Sequence, residues 1–161
     1  KTLELLLTWP VSDFEVVMGK FLASFALLSI VVLLSITIPI SIAIIGHPDA
    51  GQIVGQYLGA LLMGAAYLAI GLWISSLTEN QIIAFIIGVV VIFVLFIIST
   101  PFIQMRLPAF ISPLFTFVGL GSHFESINRG VIDSRDIIYY LSVIGFFLFL
   151  NVCSLGSRKW A

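Results

Sequence analysis

Charge is what this chain has least of. Its 161 residues include 7 Lys and Arg and 8 Asp and Glu, so 9% are charged against 60% hydrophobic; a soluble domain carries about 25% charged residues. So little charge cannot cover the surface of a water-soluble globule of this size. A formal net charge of −1 leaves no basic patch for nucleic acid. Cysteine is scarcer still. The single Cys153 sits inside an apolar run, which excludes a disulfide within the chain and reads as a small lipid- or helix-facing residue. Catalytic patterns are missing as well. There is no Walker-type phosphate loop, no HExxH, no cysteine pair and no GxSxG, and His47 and His123 stand apart from any carboxylate cluster. These absences argue against ATP binding by this chain, against a metal site and against a nucleophilic enzyme.

What is abundant is uninterrupted apolar sequence. Stretches free of Asp, Glu, Lys and Arg run from Phe21 to Ile45, Ile53 to Leu77, Gln81 to Ile98 and Ile137 to Leu155. Each is close to the roughly 20 helical residues that cross a bilayer core. The composition therefore predicts an all-α, polytopic membrane helix bundle of four spans, placed at residues 16–46, 53–77, 81–100 and 137–156. Pro39 should kink the first span, with Ser35 and Thr37 satisfying the freed backbone groups. Gly55, Gly59, Ala60 and Gly64 put small residues along the second, suited to close packing within the chain or to a dimer face. The last span ends at Gly156 with Arg158, Lys159 and the interfacial Trp160 beyond it. No charge lies within these stretches, which argues against an ion-coupled carrier using its own buried groups.

Lys1, Lys20, Arg158 and Lys159 fall on one side of a four-span arrangement and Arg106, Arg129 and Arg135 on the other. That balance places both ends of the segment in the cytoplasm. Residues 101–136 then form an external connection. It carries Pro108 and Pro113 within apolar sequence too short to span, which suits half-helices dipping into the membrane as a re-entrant hairpin. Its large apolar groups (Phe102, Phe110, Phe115, Phe117 and Phe124) are expected to bury against the outer end of the bundle. Glu125 and Arg129 stand at i,i+4 on one helix face, Gly130 is the expected helix stop, and Asp133 and Asp136 suit the cap and first turn of the last span. A solvated structural hairpin and a substrate gate are both open readings of His123, Glu125, Arg129 and Asp133.

At the other end, residues 1–15 combine a leucine-rich segment too short to span, the break at Trp9-Pro10, and Ser12-Asp13-Phe14-Glu15, which has the capping-box form. The chain reads as a short in-plane segment followed by a capped helix entering the membrane; on the residues alone an ordinary interfacial lead-in helix is the simpler account.

These strings resemble a known family. Lys1-Thr2-Leu3-Glu4-Leu5-Leu6-Leu7-Thr8-Trp9-Pro10-Val11-Ser12, with Glu15 and Gly19-Lys20-Phe21-Leu22, resembles the signature of type-2 ABC transporter (ABC-2) permeases. Lys1 stands where that family usually has glycine. The resemblance continues at Ser76 to Gln81 and at Ser122 to Asp133, where it is similar to the gliding-motility-associated permease branch. It implies a bacterial inner-membrane exporter subunit that pairs with a second permease, as homo- or heterodimer, and is driven by separate cytoplasmic ATPase subunits, which hold the ATP and Mg. Such permeases have six spans, so these four would be the last four, and a chain starting at Lys1 would be a piece of a longer protein. The coupling helix would map to Thr2, Leu3, Glu4, Leu5, Leu6, Leu7, Pro10 and Val11. A cargo drawn from membrane lipid suits spans of this character. A non-transporting membrane scaffold that recruits a partner is the alternative.

Overall fold

A computed structural model describes Leu5 and residues 8–159, with side chains as far as Ser157. The expectations for Thr2, Leu3, Glu4, Leu6 and Leu7, and for the basic side chains and Trp160 at the far end, lie outside the described residues. Within them the chain is helical, without strand: α1 Asp13–Leu34, α2 Thr37–Ile45, α3 Ala50–Leu77, α4 Gln81–Ile98, α5 Pro101–Gln104, α6 Ser112–Val118, α7 Leu120–Asn128 and α8 Ser134–Lys159. Four units are long and apolar enough to cross a membrane: Asp13–Ile45, Ala50–Leu77, Gln81–Ile98 and Ser134–Ser157. They contain the four charge-free stretches, while the spans expected at 16–46 and 81–100 overrun the helix ends by one and two residues.

The first unit is broken where Pro39 requires it. Proline has no N–H to give the carbonyl four residues back and its ring crowds that carbonyl. Here that carbonyl is Ser35, which instead accepts from Ile38 N at 3.0 Å, and Ile36 N turns back to Leu33 O at 3.1 Å. Side chains fill the gaps. Ser35 Oγ donates to Val32 O at 2.7 Å and Thr37 Oγ1 to Leu34 O at 3.2 Å. Tyr57 of α3 meets Ser35 Oγ at 3.0 Å, tying the break to the neighbouring helix.

α3 is the hub, packing on α1, α4, α7 and α8. In a membrane no water-driven force pulls helices together, so close van der Waals approach over small residues takes that role. The core accordingly centres on Ala65, Ala66, Ala69 and Ile70 of α3, with Phe21 of α1 and Tyr140 and Ile144 of α8 around them. α4 has only Gly88 buried. Its Ile82, Phe85, Ile86, Val89, Val90 and Phe93 face outward.

Each turn has its own polar device. Asp49 Oδ1 accepts from Gly51 N at 2.9 Å to start α3, and Asn80 Oδ1 accepts from Ile82 N at 2.9 Å to start α4. Four crossings bring the N-terminal end of α1 back beside the C-terminal part of α8, where Gly156 lies against Asp13. Residues 99–133 cap the opposite end.

Candidate functional site: an outer helical layer and its cleft

The layer α5–α7 is seated on α3 by glycine. A Cβ on Gly55 would stand 2.5 Å from Ile127 O and 3.1 Å from Gly130 Cα. Both are main-chain atoms that cannot swing aside, so only glycine admits the end of α7 this close. Gly130 itself has φ +85°, a left-handed conformation that glycine adopts at no steric cost. It ends α7 and turns the chain across Gln52 of α3. The small-residue face of α3 thus serves packing within the chain: Gly59 lies under Phe124 and Ile127, and Gly64 under Leu28 of α1.

A polar cluster ties the layer to α8. His123 Nδ1 lies 2.7 Å from Asp136 Oδ1, and His123 Nε2 lies 3.0 Å from Phe117 O. The imidazole thus bridges the α8 carboxyl group and the end of α6, one ring nitrogen to each. Side-chain exposures of 14% for His123 and 11% for Asp136 make this an enclosed pair. The ring stacks on Tyr139, with centroids 3.8 Å apart. The Tyr139 hydroxyl donates to Val118 O, and Tyr140 OH donates to Leu120 O at 2.6 Å. The α6–α7 junction at Gly119 is therefore held through its carbonyls by the first turns of α8. In the sequence His123 stands isolated. Its partner lies thirteen residues away, and the available signal was the i, i+3, i+4 spacing of Asp136, Tyr139 and Tyr140, which puts all three on one face of a helix.

The other singled-out residues of this region lie outside the cluster. Arg129 Nη2 and Glu125 Oε1 pair at 2.5 Å, but their side chains are 71% and 53% exposed, where such a pair contributes about 0.3–0.5 kcal/mol. Asp133 Oδ1 accepts from Arg135 N at 3.0 Å at the start of α8. The expectation that the loop phenylalanines bury is corrected. Phe115 and Phe124 are half-buried, whereas Phe102, Phe110 and Phe117 are 67%, 82% and 66% exposed. The expectation assumed water as the surroundings, in which such groups must turn inward. A layer in contact with lipid has no such requirement.

Between α6, α7 and α8 opens a cleft of about 1310 Å³. Ser112, Thr116, Ser122, His123 and Ser126 line it from the layer. From the other side come Asp133, Arg135 and Asp136 and, further along α8, Ile138, Ser142, Val143 and Phe146. Its mouth is polar and its floor apolar.

At the opposite end, the Ser12–Glu15 capping box is formed: Glu15 N donates to Ser12 Oγ at 3.3 Å and Ser12 N to Glu15 Oε2 at 2.9 Å. Before it, Val11 N donates to Trp9 O at 2.7 Å and Thr8 Oγ1 to Leu5 O at 2.7 Å. Leu5, Trp9 and Pro10 are exposed and Val11 half-exposed. These residues stand far from the cleft, with the bundle between them. Among the described residues no three His, Cys, Asp or Glu gather as a metal site.

Four helices of membrane-crossing length and composition make this a multi-pass membrane protein. The family model described as ABC-2 family transporter protein matches residues 1–154, and the chain belongs to that family. No curated protein and no solved structure matches it.

Proposed function

We propose that this chain is the permease subunit of an ATP-driven exporter, powered by separate cytoplasmic ATPase subunits and paired with a second permease in the bacterial inner membrane. The observation that carries the reading is the family match over nearly the whole chain, on a bundle whose two ends are built differently. One end presents exposed Leu5, Trp9 and Pro10 before a capped helix, a surface for a soluble motor. The other is closed by a helical layer bonded to α8. In this reading ATP and Mg sit on the partner. Residues 2–11 receive the motor's push, both ends of the segment are cytoplasmic, and residues 101–136 form an external re-entrant hairpin whose His123–Asp136 tie holds the outer gate. His123, Glu125, Arg129 and Asp133 act in that hairpin as structural or gating groups. The gliding-motility-associated branch, similar at Ser122 to Asp133, is the nearest functional setting for the exporter.

The test is a reconstituted complex carrying Glu4→Lys. Charge reversal in the coupling segment should lower the stimulation of ATP hydrolysis by the permease while membrane insertion stays normal. Unchanged stimulation would remove Glu4 from the coupling surface. A chain that binds no ATPase at all would instead be a membrane scaffold.

A further inference from the structure

The cleft between α6, α7 and α8 is graded from polar to apolar along a single helix. Arg135, Tyr139, Ser142, Val143 and Phe146 all line it, at spacings that place them in one stripe down α8. From Arg135 to Phe146 the stripe runs about 16 Å at 1.5 Å per residue. The apolar run of α8 begins at Ile137, so Arg135 stands at the edge of the hydrocarbon and Phe146 near its middle, given a core about 30 Å thick. The cleft is one leaflet deep. Its floor is not covered by the protein: Ile138 and Phe146 are 62% and 57% exposed.

The mouth carries unspent polar groups of both signs. Among the described residues, the Arg135 guanidinium makes no hydrogen bond or ion pair. The hydroxyls of Ser112 and Ser126 make none, and Asp133 uses only Oδ1, toward Arg135 N. Asp136 is already matched by His123. What remains is one cation, one carboxylate oxygen and two hydroxyls at the interface, above an apolar channel of acyl-chain depth. A guanidinium suits a phosphate. A carboxylate beside it suits a group that can donate several N–H bonds.

We infer that this cleft binds one phospholipid with a phosphate–ammonium headgroup, of the phosphatidylethanolamine type, taken from the leaflet at the α8 N-terminal side. The phosphate lies on Arg135, the ammonium faces Asp133, and an acyl chain runs along Tyr139, Val143 and Phe146. A choline headgroup has no N–H or O–H to donate to Asp133, and a glycerol headgroup offers only neutral hydroxyls, a weaker match to that carboxylate than a charged ammonium. The inference requires membrane insertion but not coupling to an ATPase, so it stands or falls separately from the transport reading.

The test is native mass spectrometry of the full chain, purified in mild detergent and exposed to equimolar phosphatidylethanolamine, phosphatidylglycerol and phosphatidylcholine with identical acyl chains. One phosphatidylethanolamine per chain should be retained in preference to the other two. Arg135→Ala should weaken that retention about tenfold or more, the loss of a charge-assisted bond. Arg135→Lys should recover part of it, and Arg106→Ala, which removes a cation outside the cleft, should change nothing. Asp133→Asn keeps a capping side chain at α8 and should erase the preference over phosphatidylglycerol. Val143→Trp, which fills the floor, should abolish retention with helicity intact. Equal retention by Arg135→Ala, or wild-type preference for phosphatidylglycerol or phosphatidylcholine, would overturn the inference. So would photo-crosslinking from position 146 to a second copy of the chain rather than to lipid.

Discussion

Replacing His123 with alanine should loosen the outer layer without loosening the bundle. The imidazole bridges Asp136 and the Phe117 carbonyl at 2.7 and 3.0 Å, and its removal leaves the enclosed Asp136 side chain without its hydrogen-bond partner. Breaking a fully buried pair in this way costs about 3–5 kcal/mol. Because both side chains keep some solvent contact, about 2–3 kcal/mol is the fitting figure. At 1.4 kcal/mol per tenfold, local opening should become about 30- to 140-fold more frequent. Amide hydrogen exchange in lipid nanodiscs reads this directly. Amides of residues 119–127 should exchange faster by that factor, while those of α3 around Ala65–Ile70 stay as slow as before. Asp136→Asn should do less harm than His123→Ala, since the amide oxygen can still bond the imidazole and no enclosed carboxyl group loses its partner. Tyr140→Phe, which removes the bond to Leu120 O, should cost about 1 kcal/mol, or roughly fivefold. Unchanged exchange in His123→Ala, or a larger effect from Asp136→Asn, would refute the His123–Asp136 bond as the tie between layer and span.

Gly55→Val should unseat the same layer from the α3 side, destabilising it by about 1–3 kcal/mol. The added carbons collide with the Ile127 carbonyl and Gly130 Cα, so exchange across residues 124–131 should rise. Pro39→Ala restores a donor for Ser35 O, and amides 36–39 should become at least tenfold better protected as α1 and α2 join; an unchanged break would mean that Tyr57 rather than proline imposes it. In intact cells Arg129→Cys should react with an impermeant thiol reagent and Thr78→Cys only after permeabilisation. The reverse pattern would invert the orientation.

The four spans were legible because lipid imposes one rule on sequence, long apolar runs whose backbone bonds close internally. The break at Pro39 and the box at Ser12–Glu15 were legible for a related reason: both are local chemistry, complete within four residues. The His123–Asp136 tie was not, since it depends on a chain reversal at Gly130 that brings residues thirteen apart together. The cleft was hidden for the same reason, its walls coming from three helices. The phenylalanines of residues 101–124 misled because apolar content says that a side chain avoids water, not whether protein or lipid is its alternative. Composition alone could not choose between those. The choice of α3 as hub was half visible, in the glycines and alanines that permit close approach. Which neighbour each would receive was not.

The central claim is that this chain works as the membrane half of a machine whose motor is a separate protein. The most direct measurement is affinity purification of the intact protein from the membranes of its own cell, in mild detergent, followed by assay of the purified complex for ATP hydrolysis. An ATPase subunit bearing the phosphate loop absent here should co-purify in fixed ratio, and its hydrolysis should fall when residues 2–11 are replaced by a flexible linker. Purification of a stable, correctly inserted protein with no nucleotide-hydrolysing partner would contradict the account.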